Sequence, residues 1–146
     1  MRSSEFMAAL PDAVIGSLPD GPRLRRGRLW SFGVQLYDDE PHFHYEVARV
    51  PVRLGDRLEV GLHFESKNAA ANRRLLDGFT AHMIEIKAEL GEDVEAELWD
   101  KGWTKVYETI ALETYSPDYL QVVAQRLVRI VTVLHPVYLE VRGNYQ

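Results

Sequence analysis

The chain reads as an α+β domain, an antiparallel sheet of about five strands with two long helices packed on one face. Three observations predict it. Between residues 28 and 65 apolar side chains fall at every second position, the period of strands covered on one side. In 66–90, and again from 116 onward, they recur at three- and four-residue steps, the period of amphipathic helices. Tight turns rich in Gly, Asp and Pro separate the strand-like runs and join them as hairpins.

The elements follow in order. Phe6–Leu18 has a short helical pattern broken by Pro11, and Pro19-Asp20-Gly21-Pro22 ends it. Arg28 to Tyr37 reads as one strand, with Trp30, Phe32, Val34 and Leu36 on one face. Asp38-Asp39-Glu40-Pro41 turns the chain into a second strand, His42 to Arg53, rich in aromatic and β-branched residues. Gly55-Asp56 closes a hairpin. Arg57 to Glu65 alternates most cleanly: Leu58, Val60, Leu62 and Phe64 line one face, and Arg57, Glu59, His63 and Glu65 the other.

Ser66 is the expected cap of a helix running to Leu90, with Leu75, Leu76, Phe79, Met83, Ile86 and Leu90 as its stripe and Gly91 after its end. A hairpin over Val94–Trp99 and Thr104–Leu112 turns at Asp100-Lys101-Gly102. Ser116-Pro117-Asp118 is a strong helix start. The last helix carries Leu120, Val123, Leu127, Ile130, Leu134, Val137 and Val141, and Pro136 is expected to bend or end it. The order is helix, three strands, helix, two strands, helix, in one domain over 1–146. Residues 1–6 read like a cloning scar ahead of Met7.

Composition narrows the function classes. The 146 residues are 46% hydrophobic and 27% charged, a globular balance. Without cysteine there is no disulfide, thiolate metal site or cysteine nucleophile. No uninterrupted apolar run approaches the eighteen or so residues that span a bilayer, and no signal-peptide core is seen, so a cytoplasmic location is expected. A net charge of −5 opposes nucleic-acid binding by the whole surface.

Four constellations could carry chemistry. Asp56, eight residues, then Glu65-Ser66-Lys67 has the order of a restriction-type nuclease metal site. Geometry rejects it, because an extended strand puts the two carboxylates roughly 30 Å apart at about 3.3 Å per residue. Glu85-Ile86-Lys87 has the same local letters inside a helix, where its charges read as a solvated face. His42, His44 and Glu46 alternate on one strand face and His63 lies on the neighbouring strand, a donor set suited to zinc, nickel or iron(II). Whether His63 meets His44 depends on register. A cupin-type site would place its glutamate later than Glu46.

Arg23, Arg25, Arg26 and Arg28 form a basic cluster that could clamp phosphates. The last helix is apolar around much of its circumference, which suggests that Val128, Val131 and Tyr138 meet a second subunit. No phosphate loop, nucleophile elbow or zincin motif is present, and no serine has a readable histidine–acid partnership.

The stretch Leu58–Ile110 carries Leu75-Leu76-Asp77-Gly78-Phe79 and Ile84-Glu85-Ile86-Lys87-Ala88-Glu89-Leu90-Gly91, then a strand with Glu97-Leu98-Trp99 and a lysine-bearing partner strand. On these residues it resembles a family of uncharacterised bacterial domains sometimes found in restriction- and defence-associated proteins. The resemblance implies a prokaryotic accessory domain near nucleic-acid enzymes and brings no catalytic set. The sequence as a whole leads to a non-catalytic binding or interaction domain, homodimeric and without a cofactor. A nucleic-acid-binding accessory domain is the second reading, and a metal-dependent enzyme on the His-rich strand face the third.

Overall fold

Alternation in residues 57–64 sets the plan of the molecule. In the computed structural model, which describes residues 1–143, the strands are β1 (Arg25–Trp30), β2 (Gly33–Tyr37), β3 (Phe43–Arg49), β4 (Arg57–Phe64), β5 (Glu95–Leu98) and β6 (Thr104–Ala111). The helices are α1 (Ser3–Ile15), α2 (Ala69–Ala81), α3 (Met83–Leu90) and α4 (Pro117–Gly143). The fold is α+β, with one antiparallel sheet in the order β1-β2-β3-β4-β6-β5. β4 lies inside it, and its Leu58, Val60, Leu62 and Phe64 are at most 2% exposed. These face the helices, while Glu59, Gly61 and His63 point to the outer face.

The sheet has six strands because Arg28–Tyr37 is a hairpin rather than one strand. The chain reverses at Ser31-Phe32, a pair without the Gly or Asn that marks such turns. Trp30 then lies opposite Gly33, where a Cβ would sit 2.2 Å from the indole ring. Only glycine admits that crossing.

Helix boundaries also move. α1 runs through Pro11, held by the buried Phe6, Met7, Leu10 and Val14. Phe6, set aside on sequence grounds, is fully buried with its ring 4.8 Å from Tyr115 and 5.6 Å from Tyr119. The helix expected over 66–90 is two, broken at His82, whose φ of −104° and ψ of 6° leave the α region. Asn68, not Ser66, caps α2 by accepting from Ala71 N–H at 3.1 Å. Ser116 caps α4 as expected, its Oγ accepting from Tyr119 N–H at 3.0 Å.

α4 continues through Pro136 to Gly143. Its buried stripe passes from Leu134 to Tyr138 and Val141, leaving Val137 partly buried, because 3.6 residues per turn drifts against a strict heptad. Among the described residues α4 is the one helix long and apolar enough to cross a membrane, with a mean hydropathy of 1.3 in its best window. Here it is a core helix. Val123, Leu127, Ile130 and Leu134 are buried, and Arg126 bonds the inward-facing Glu108 of β6 and the Leu90 carbonyl.

Candidate metal centre

Antiparallel register brings the titratable residues of the outer face together. His44 lies directly opposite His63, and Glu46 opposite Gly61. Two residues beyond His63 on the same face comes Glu65. In an antiparallel pair that places Glu46 and Glu65 on opposite diagonals of the two imidazoles. One ligand atom from each of His44, Glu46, His63 and Glu65 falls within 4.8 Å of the others. The imidazoles stack with centroids 5.7 Å apart.

This corrects the sequence-derived set in two places. His42 lies in the β2–β3 turn, exposed and outside the group, although its carbonyl accepts from Glu65 N–H at 2.8 Å. Glu65 takes its place. Alternation along β4 already put Glu65 on the face of His63, but its position beside Ser66 made it look like the start of a helix. The nuclease-like pairing stays rejected, since Asp56 and Glu65 flank opposite ends of β4.

The four side chains sit under cover rather than in solvent. His44 and His63 are 4% and 1% exposed, Glu46 and Glu65 13% and 15%. Trp99 stands edge-on to His63 at 5.9 Å. Gly61 keeps the floor between Glu46 and Tyr107 clear, because a Cβ there would meet the Val106 carbonyl at 2.4 Å.

His44 is the decisive residue. Its Nδ1 lies 2.9 Å from the Pro41 carbonyl, which can only accept, so Nδ1 carries the proton. Nε2 is buried without a hydrogen-bond partner, 3.4 Å from Glu46 Oε1 and 3.4 Å from Glu65 Oε1. That nitrogen thus faces two carboxylate oxygens without an aligned hydrogen bond, a place that a cation fills, whether a metal ion or a proton on Nε2.

The remaining contacts form an outer ring. His63 Nε2–H donates to Glu59 Oε2 at 2.8 Å, and Lys105 Nζ donates to Glu59 Oε1 at 2.6 Å. Gln35 Nε2–H donates to Glu46 Oε1 at 2.9 Å. Each imidazole thus has an oxygen behind the nitrogen that faces away from its partners, as metal-bound histidines do. Without a cation, His63 Nδ1–H donates to Glu65 Oε2 at 2.9 Å. Burial pushes the His63 pKa down, but Glu59 and Glu65 outweigh it and raise it to about 9. Burial likewise opposes ionisation of Glu46, yet His44, His63 and Gln35 together hold its carboxyl at about 2.

The other predicted residues lie apart. Arg23, Arg25, Arg26 and Arg28 are exposed on β1 and the loop before it. Arg26 pairs with Asp12 of α1, and Arg28 lies over Trp30 at 5.2 Å. Val131 and Tyr138, expected at an interface, are 0% and 3% exposed within this chain's own core, Tyr138 against Phe43 and Phe64. Val128 is partly buried. No protein-family model, no curated protein and no solved structure matches the chain.

Proposed function

We propose that this chain is a metal-binding domain that holds one divalent ion of the zinc class through His44 Nε2, Glu46, His63 Nδ1 and Glu65. The observation that carries the reading is the partnerless, buried Nε2 of His44 aimed between two carboxylates. Two imidazoles with two carboxylates suit zinc, manganese, iron(II) or nickel, and the nitrogen donors disfavour magnesium and calcium. Charge supports a divalent ion as well. Once the ion displaces the His63 Nδ1 proton to solvent, the charges of Glu46, Glu59 and Glu65 balance those of Lys105 and the metal.

The role that suits this geometry is binding rather than catalysis. A catalytic ion keeps a coordination position open to water or substrate. Here the ligands are nearly closed from solvent, with Trp99 against His63. The ion would then pin β3 to β4 and to the segment leading into α2. A cytosolic setting, where ions of this class are exchanged among proteins, matches a chain without cysteine.

Isothermal titration of chelator-treated protein with zinc chloride tests the proposal. One saturable equivalent is expected, lost in His44→Ala and in Glu46→Gln. Absence of saturable binding, or binding unchanged in both variants, would overturn it.

A further inference from the structure

One end of the sheet carries apolar side chains that the core leaves out. There β1 and β2 reverse at Ser31-Phe32, and β3 leads into β4 through residues 50–56. The two connections are neighbours, since Gly33 pairs with Ala48 and the Phe32 carbonyl accepts from Arg49 N–H at 2.8 Å. Leu29 and Phe32, at the first, are 52% and 56% exposed, and Val52 and Leu54, on the second, 76% and 62%. Val52–Leu54 is a single 3-10 turn beyond the Arg49–Leu58 pair, and none of its residues is buried. Single apolar residues on a surface need no explanation, but four on adjacent connections form a patch.

The charges beside the patch are predominantly positive, in a chain whose net charge is −5. Glu5 and Asp56 are already paired, with Arg2 and Arg49. Arg28 and Arg53 are exposed, and among the described residues neither makes an ion pair. Glu113 and Asp118, the exposed acids that follow β6, lie two strands away from β3. Apolar tips flanked by uncommitted guanidiniums match the surface of an anionic bilayer, where the tips enter the acyl boundary and the cations meet phosphates. Single-stranded nucleic acid suits them less, because Leu29, Val52 and Leu54 offer a base no ring to stack on.

We infer that this end of the sheet is a docking surface for an anionic membrane. Phe32, Val52 and Leu54 enter the interface, and Arg28 and Arg53 lie against the lipid phosphates. His44 and His63 pair at the opposite end of β3 and β4, so this surface is independent of the proposed metal centre.

Co-sedimentation of the intact chain with two kinds of vesicle tests the inference, one of phosphatidylcholine and one an equal mixture of phosphatidylcholine and phosphatidylserine. Binding to the mixed vesicles is expected to be about tenfold or more tighter and to weaken as salt is added. Arg28→Gln with Arg53→Gln changes exposed side chains only, so the fold is retained, as circular dichroism will show. That double variant should weaken binding to the mixed vesicles about tenfold or more. Phe32→Ser with Val52→Ser and Leu54→Ser, also at exposed positions, should reduce binding to both vesicles. No binding to the mixed vesicles, equal binding to both, or binding unchanged in either variant would each overturn the inference. A dimer by light scattering that the triple variant dissociates would assign the patch to a second copy of the chain and overturn it as well.

Discussion

At the scale of single residues, the proposed metal centre would make its clearest demands on side chains that never touch the ion. Glu59 sits behind His63 and is held by Lys105. Glu59→Gln keeps the shape but weakens the acceptor for His63 Nε2–H, and should lower zinc affinity about 10- to 100-fold. Competition with a chromophoric chelator measures this, and an affinity unchanged by the substitution would place Glu59 outside the centre.

The same residues make the metal-free chain sensitive to pH. His63, raised from an ordinary 6.5 to about 9, contributes stability that is fully present below 6.5 and lost as pH rises through about 9. Glu46, lowered from 4.5 to about 2, contributes stability that is present above 4.5 and lost as pH falls toward about 2. In chelator the urea midpoint should therefore fall between pH 6.5 and about 9, and His63→Gln should flatten that limb. Parallel profiles for the two proteins would mean that His63 is uncharged at neutral pH.

At the scale of elements, close approaches decide what the chain tolerates. Gly78 of α2 faces α4, and a Cβ there would lie 2.2 Å from Val141 Cγ1. Alanine gains about 1 kcal/mol of helix propensity, while overpacking costs about 1–3 kcal/mol. Gly78→Ala should therefore destabilise, and pairing it with Val141→Ala should recover part of the loss. Strict additivity of the two in urea unfolding would show no contact between them. Asn72 is a second such point. Fully buried, it accepts from Ser66 N–H and donates to the carbonyls of Ser66 and Gly102, tying the start of α2 to the turn beside Trp99. Asn72→Ala leaves those groups unpaired and should cost about 3 kcal/mol.

These elements also show what could be read from the chain. β4 was legible because strict alternation on a one-sided sheet has few rivals, and α4 because Ser116-Pro117-Asp118 announces it. The β1–β2 reversal was not, since Ser31-Phe32 lacks the Gly or Asn that marks a two-residue hairpin loop and Trp30 and Gly33 interlock only in space. His82 breaks a continuous apolar stripe without Pro or Gly. Of the proposed metal ligands, His44, Glu46 and His63 were visible as an alternating polar set. Glu65 was hidden by its neighbour Ser66, and the approach of His44 to His63 waited on a register that the sequence leaves open.

At the scale of the whole molecule, the helices take up one sheet face and leave the polar face to the cluster of His44, Glu46, His63 and Glu65. The apolar surplus of α4 is largely absorbed within the chain, with Val131 and Tyr138 in its core, so self-association over this helix would use Val122, Val128 and Leu139. An ion bridging β3 and β4 should stabilise the entire fold. At free zinc one hundred times the dissociation constant the gain is about 2.7 kcal/mol. That corresponds to a melting temperature higher by roughly 5–10 °C for a domain of this size.

Cobalt(II) reports on the proposed donor set most directly, since its visible absorption depends on coordination number and geometry. Chelator-treated protein titrated with cobalt(II) should develop ligand-field bands of a low-coordinate nitrogen–oxygen site, saturating at one equivalent. Zinc should abolish them, and His44→Ala should never show them. A spectrum that stays that of the hexaaqua ion throughout the titration would contradict the metal centre.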